Sequence, residues 1–386
     1  MSQKAKAEYL REIKTRYNKA SRQEKQNILD EFCLVCGYNR KYAIRLLNNN
    51  DKKKKSIRKK KSGRPRSYYD PVLIHFLKVL LRSTNMICSK RLKSVIPLWL
   101  PFYESTFCLK INELCKKKLL SISASTIDRI LSKERKRCGK LGLSTTKPGT
   151  LLKKHVPIKT NQWDESRPGF IEADTVAHCG KSIAGMFVYT VNTVDIATGW
   201  TEARAIWGKG EKSAFEAIKS IEDSLPFKIR GFDCDNGSEF LNWHLMKYLT
   251  GRSTPVEYTR SRAYQKNDNA HIEGKNWTHI RQYLGYQRFD LPEIVDMLND
   301  IYLNYWSDYF NFFISSSKLI SKERIGAKTV KMHDKPQTPL QRIMGNKDIP
   351  NRIKKRLQIL FKQSNPFELQ SIIHGKIIEI LNLLGK

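Results

Sequence analysis

The chain has 386 residues, of which 40% are hydrophobic, enough to build folded cores and to exclude global disorder. It carries 71 Lys and Arg against 37 Asp and Glu, a formal charge of +34, and such an excess points to an anionic polymer as partner. The charged start MSQKAKAEYLREIK and the lack of any apolar run near the roughly 18 residues of a membrane helix predict a cytoplasmic, nucleoid-associated protein with reduced thiols and no membrane partner.

The charge is unevenly placed. Residues 1–66 hold 21 basic and 6 acidic residues, whereas residues 155–290 hold 17 of each. A neutral centre between basic segments reads as a chemical centre with arms that hold nucleic acid.

Ser21 and Glu24 form a capping-box pattern, and Ile28, Phe32 and Val35 follow at helical spacing. Gly37 ends that helix. A second helix, 40–47, exposes Arg40, Lys41 and Arg45 and is expected to bury Ala43, Ile44 and Leu47. Helix, glycine turn and basic helix make a helix-turn-helix pattern; the plainer alternative is a helical hairpin with a solvated basic face. Cys33 and Cys36 lie in an apolar helical stretch without further ligands nearby and read as structural thiols. Residues 51–66 contain ten basic residues and form a linker. Within it, Arg64-Pro65-Arg66 resembles a minor-groove arm, although a basic linker touching only phosphates explains it equally well.

Residues 70–135 read as a second helical unit. Val72, His75, Phe76, Val79 and Leu80 share one helical face, and Ile111, Leu114 and Leu119 lead to a helix capped by Ser123 or Ser125. That helix buries Ile127, Ile130 and Leu131 and offers Ser125, Thr126 and Arg129, a possible second recognition surface. Beyond a basic linker, 170–176, 185–195 and 200–207 read as strands, 211–224 as a helix, 228–235 as a strand, and 239–249 and 268–283 as helices. A strand meander followed by alternating helices and strands is the order of an RNase H-like α/β domain.

Three carboxylates stand where a metal site would need them. Asp174 interrupts an apolar strand, Asp235 ends another before the turn residues Asn236-Gly237, and Glu273 sits on the long helix. Hard divalent cations take oxygen ligands, and two of them can clamp both oxygens of an in-line phosphoryl displacement. Asp233 shares a strand face with Asp235 and is the lesser candidate. Glu172, two residues before Asp174, is placed at the cleft's edge. Asp195 reads as a turn carboxylate and His178-Cys179 as structural. Asn269 and Asn276 share the helical face of Glu273; together with Lys275 and Arg262 they are candidate DNA contacts.

Asp174 in PGFIEADTVAHCG, Asp235 in DCDNGSEF and Glu273 in SRAYQKNDNAHIEGKNW, spaced by 61 and 38 positions, resemble the DDE triad of insertion-sequence transposases with an integrase catalytic core, within the retroviral integrase superfamily. The resemblance runs from about residue 155 to 344 and includes YFNFFISSSKLISKERIGAKTV and TPLQRIM. It implies a mixed five-stranded sheet with helices on both faces, preceded by helix-turn-helix units and followed by a small C-terminal region. It also implies two Mg²⁺ or Mn²⁺ ions, with Asp174 bridging both, Asp235 on one and Glu273 on the other. The implied reaction is hydrolytic cleavage of a DNA strand at the element's end, then attack of the freed 3′-hydroxyl on target DNA. Partners would be the terminal inverted repeats, target DNA and further copies of the chain, at least a dimer. The zinc-binding HHCC module of retroviral-type integrases is not found in this sequence. The expected segments are a DNA-binding domain at 1–50, a linker at 51–69, a second helical DNA-binding domain at 70–135, a linker at 136–154, the catalytic core at 155–300 and a DNA-binding or assembly region at 301–386. A non-catalytic DNA-binding regulator is the alternative from another class.

Overall fold

Side-chain caps start each of the first two helices, and a glycine ends the second. Ser2 accepts from the Ala5 amide at the start of α1 (Gln3–Lys19). Ser21 and Glu24 form the expected reciprocal box at the start of α2 (Arg22–Cys36), which Gly37 terminates with φ 65°. Helix α3 (Arg40–Asn48) follows. The computed structural model describes residues 1–48, 70–137, 167–234, 239–240, 242–260, 270–325 and 328–385. Their contacts divide the chain into two units, Met1–Arg66 and Ser67–Lys386.

In the first unit, Ile13, Tyr17, Ile28, Leu29, Phe32, Cys36, Ala43 and Leu47 pack together. Two expectations fail here: Val35 and Ile44 are exposed. The inward face of α2 runs through Ile28, Leu29, Phe32 and Cys36, one position away from Val35, and on α3 the pair Ala43 and Leu47 fills the core.

The second unit begins with α4 (Pro71–Ser83), α5 (Ser89–Phe107), α6 (Glu113–Ser121) and α7 (Ala124–Arg137). The sheet region holds β1 (Phe170–Ala177), β2 (Val188–Asp195), β3 (Thr201–Trp207), α8 (Glu211–Ser224), β4 (Gly231–Cys234), α9 (Trp243–Thr250) and β5 (Glu257–Arg260). Next come α10 (Ala270–Lys275), a π-helical turn (Asn276–Arg281), α11 (Gln282–Leu284), α12 (Glu293–Ile301), a second π-helical turn (Tyr302–Trp306) and α13 (Ser307–Phe313). A hairpin of β6 (Leu319–Ile325) and β7 (Lys328–His333) precedes α14 (Pro339–Gly345), α15 (Asn351–Gln363) and α16 (Pro366–Leu384).

The strand order is β3-β2-β1-β4-β5. β2 runs antiparallel to β1 and β3, while β4 runs parallel to β1 and β5. This mixed sheet, with helices on both faces, is the RNase H-like fold. On one face Ile171, Ala173, Val191, Phe232 and Cys234 pack against α8 and α9. On the other, Val176, Val188, Ala203 and Ala205 join a larger core containing α4–α7, α12, α13 and the C-terminal helices.

That shared core ties residues 70–137 to the C-terminal region. Trp99 donates its indole N–H to the Phe313 carbonyl (3.0 Å), and Asn365 donates to Thr106 Oγ1 (2.9 Å). Val72, placed on one face with His75, Phe76, Val79 and Leu80, is exposed, as is Leu114; Leu73, Leu77 and Cys115 take inward positions. At the outer strand β3, Asn311 accepts from Thr201 N and donates to Thr201 O, both at 2.9 Å. Asn299 does the same at Ala205, at 2.8 and 3.0 Å. Arg204 donates to the Ala203 carbonyl between them (2.7 Å). The backbone groups of Thr201 and Ala205 and the Ala203 carbonyl on this sheet edge are thereby satisfied by side chains.

Candidate active site

Alternation along β1 sends Glu172 and Asp174 to the same face of the sheet. The helix carrying Glu273 lies along that face and is tied to β1 at three levels. Ile272 N donates to Glu172 Oε2 (3.0 Å), Asn276 Nδ2 to Asp174 Oδ2 (2.7 Å), and Arg281 Nη2 to the Ala177 carbonyl (2.7 Å). Glu273, between the first two ties, is exposed, and Asp174 is half-buried. Glu172 is only 3% exposed and accepts from a first-turn amide of α10, where a carboxylate is favoured by the helix dipole. The expectation that it lines an open cleft edge is corrected: its carboxylate fastens the helix that bears Glu273.

Asn276 also accepts from Asn192 Nδ2 (2.7 Å) on β2, the register partner of Asp174. Both ends of its amide are therefore engaged inside the protein, and it acts as a strut between helix and sheet. The π-helical turn begins at this residue, and π turns often accompany functional sites. Lys275 is half-buried with its amine 3.3 Å from His279 Nε2; burial, aided by the nearby Arg91 and Arg342 cations, brings it down to about 7. His279 is buried and stacks on Phe310 at 4.0 Å.

The register pairs Ala173 with Cys234, the last residue of β4, next to Asp174 and Asp235 respectively in the sequence. Asp235, Arg262 and Asn269 lie outside the described residues, as do Arg64 and Arg66. Asp233 is buried and accepts from Thr259 Oγ1 on β5 (2.6 Å). Glu239, four positions after Asp235 in the sequence, is a residue that sequence reasoning missed. Its fully buried carboxylate accepts from Lys209 Nζ (2.8 Å) and from Thr175 Oγ1 (3.1 Å), which follows Asp174 in β1 but faces the opposite side of the sheet, while its second oxygen has no partner among the described residues. Only its closeness to Asp235 in DCDNGSEF could have signalled it.

The remaining candidates separate cleanly. Asp195 accepts from Gly169 N and Thr198 N, both at 2.8 Å, and is the turn carboxylate expected. His178 is buried, stacked on Phe289 and bonded to Thr190 Oγ1 (2.9 Å); burial and the Arg281 charge bring its pKa down to about 3. On α3, Arg40 pairs with Asp30, Arg45 lies 5.0 Å over the Tyr42 ring, and both basic side chains and Lys41 are exposed. On α7, Ser125 and Arg129 are exposed and Arg129 donates to Thr126 Oγ1 (3.0 Å). Cys36 is buried and Cys33 half-buried. Among the described residues no group of three or more His, Cys, Asp or Glu is gathered to hold a metal ion. No helix among them is long and apolar enough to cross a membrane.

The strand order and the helix along its acidic face define an α/β protein with an RNase H-like core. The chain is 36% identical over 356 residues to the uncharacterized protein y4rM of Sinorhizobium fredii, covering 89% of this chain and 96% of that one, and it belongs to the same family. No family model matches the chain. Among solved structures it is similar to the catalytic core of BIV integrase (16% identity, 30% of this chain and 68% of that one, TM-score 0.24). It is also similar to the HTLV-2 integrase catalytic core in complex with magnesium in a dimeric form (17%, 39% and 90%, TM-score 0.28). A third similarity is to a simian T-cell lymphotropic virus intasome bound to a PP2A regulatory subunit (14%, 55% and 68%, TM-score 0.30).

Proposed function

We propose that the chain is a DDE-type DNA transposase of an insertion sequence, cleaving element ends and joining the 3′-hydroxyl to target DNA. The observation that carries this reading is the 2.7 Å bond from Asn276 to Asp174, which holds the helix of Glu273 against the strand of Asp174. The donor set fits Mg²⁺ or Mn²⁺: Asp174, Asp235 and Glu273 offer hard carboxylate oxygens, and Glu273 is exposed and unencumbered by burial. Two such ions, when bound, supply positive charge to the attacking and leaving oxygens of a phosphodiester.

The protein's own residues do the positioning. Asn276 orients the Asp174 carboxylate, Glu172 anchors α10, and Glu239 is bonded to Thr175 of β1. DNA is held by basic residues outside the sheet, with Arg40, Lys41 and Arg45 on α3 and Ser125, Thr126 and Arg129 on α7 as contact sets, and Arg64 and Arg66 in the linker between. Lys275, Asn276, Arg262 and Asn269 are the candidates near the cut. Two element ends brought together require at least a dimer of the chain.

The test uses DNA carrying the sequences that border the chain's own gene. Wild type should cut and join it in Mg²⁺, and Asp174→Asn and Glu273→Gln should bind it without cutting. A wild type that binds this DNA yet neither cuts nor joins it would make the protein a DNA-binding regulator.

A further inference from the structure

Charge is not spread evenly over the last hundred residues. Residues 318–363 hold 13 basic and 3 acidic residues, whereas residues 291–317 hold none and 4, and residues 364–386 hold 2 of each. The excess peaks on α15, where Arg352, Lys354, Lys355, Arg356 and Lys362 stand without one acid in its 13 residues. Lys354 is half-buried and donates to the Asn346 carbonyl (2.5 Å). The other four are exposed and recur at helical spacing along one stripe with the exposed Ile359. Among the described residues none of the four makes an ion pair. The other side of the helix supplies Leu357, Ile353, Leu360 and Phe361 to the core.

This placement works against the helix. A helix start favours acids and a capping side chain. α15 carries Arg352 in its first turn, has no acid there, and begins after Pro350 with no side-chain cap. Asp348, the nearest acid in sequence, precedes the helix. Arg352 also meets like charge three and four positions on, at Lys355 and Arg356, which destabilises a helix further. The helices before and after it obey the ordinary rule. Thr338 and Gln341 box the start of α14, and Asn365 caps α16 with Glu368 in its first turn. A local rule broken on one helix and kept on both its neighbours marks a functional surface. An anionic partner along the stripe removes both penalties. From Arg352 to Lys362 the stripe runs about 15 Å, the rise of about four base pairs of duplex. Its single apolar residue, Ile359, gives it too little apolar surface to enter a lipid bilayer.

We infer that the outer face of α15 seats the phosphate backbone of duplex DNA without reading its sequence. The inference rests on DNA as the partner in the transposase reading and deepens it: one grip on DNA belongs to the C-terminal region, apart from the sets on α3 and α7.

The test uses the full chain in four forms: wild type, Arg352→Gln with Arg356→Gln, Arg352→Lys with Arg356→Lys, and a control with Lys212→Gln and Lys219→Gln, which removes two exposed cations from α8. Each is titrated in EDTA, between about 50 and 200 mM salt, into two fluorescein-labelled duplexes of equal length. One is the DNA that borders the chain's own gene, and the other is its scrambled sequence. The Gln pair on α15 should weaken binding to both duplexes alike and make the plot of log affinity against log salt shallower by about 2. The Lys pair and the α8 control should keep the wild-type slope. Because its charges oppose the helix, the Gln pair should unfold at the same denaturant concentration as wild type or a higher one.

An unchanged slope, or an equal change in the α8 control, overturns the inference. So does a loss confined to the bordering DNA, which would make the face a sequence reader, and so does a clear fall in the unfolding midpoint, which would make the two arginines structural. A Gln pair that keeps its slope but sediments as a smaller assembly, or no longer binds phosphatidylserine vesicles that wild type binds, assigns the face to a second copy or to a membrane instead. If wild type cuts its DNA in Mg²⁺ while the Gln pair keeps its slope, this inference alone falls. If wild type neither cuts nor joins yet the Gln pair flattens the slope, the transposase reading alone falls. A wild type that binds neither duplex removes both.

Discussion

The two faces of the five-stranded sheet come from the same strands and solve different problems. On β1, Ile171 and Ala173 enter an apolar layer under α8 and α9, while Glu172 and Asp174 meet α10 and the π-helical turn. The apolar layer has only to fill space, and each buried side chain there contributes through the area it removes from water. The acidic face must satisfy charge. It does so with a helix amide at Glu172 and a carboxamide at Asp174, so the groups that hold the face together also aim its carboxylates. Substitutions on the first face should therefore act on stability, and substitutions on the second on chemistry.

The largest effect sharpens that contrast. Asp174→Asn should lower Mg²⁺-dependent cleavage by about a thousandfold or more, with an unchanged unfolding midpoint and unchanged DNA binding by electrophoretic mobility. A comparable loss of stability would erase the distinction between the faces. Phe232→Ala, on the apolar side, should cost about 3–5 kcal/mol in denaturant unfolding, because a fully buried ring is replaced by a cavity.

Glu202 tests the rule at the end of the sheet. Its buried carboxyl accepts from Ser307 Oγ (2.6 Å) and Trp200 Nε1 (2.9 Å) and lies 3.6 Å from Arg204. Burial pushes it up to about 7 despite those partners. The folded chain therefore holds this proton more tightly than the unfolded chain. The associated stability is fully present below the ordinary carboxylate range and is lost as pH rises through about 7. Chemical unfolding at acidic and alkaline pH should show wild type weakening by up to about 3 kcal/mol, and Glu202→Gln should flatten that slope. The smallest effect belongs to Glu172→Gln, which keeps a weaker cap for Ile272 and should cost about 1–2 kcal/mol. Its cleavage defect should exceed what that lost stability explains, since the helix of Glu273 loosens.

Much of this was legible in the residues. The apolar alternation around Asp174, the β-branched run of 188–195 and the capping signals of Ser21 and Glu24 specify local structure directly, and the structure carries each of them. Helical phase was harder to read. Val35, Ile44, Val72 and Leu114 fit a helical wheel yet face solvent, because neighbouring helices, rather than periodicity, select the buried stripe. The union of 70–137 with the C-terminal helices depends on pairs such as Trp99 and Phe313, more than two hundred positions apart, which leave no local mark. For the same reason the roles of Glu172, Asn276 and Glu239 appear only once strand and helix are side by side. The π-helical turn at Asn276 likewise has no signature in composition.

The bonds that Asn299, Asn311 and Arg204 make along β3 have a consequence for what that strand can pair with. A bare outer strand is a self-templating surface that invites edge-to-edge pairing between copies. With Thr201, Ala205 and the Ala203 carbonyl already bonded, much of that edge is taken before a second strand could pair with it. Strand-to-strand pairing at β3 is thereby held off by three side chains that reach it from helices and from the strand itself.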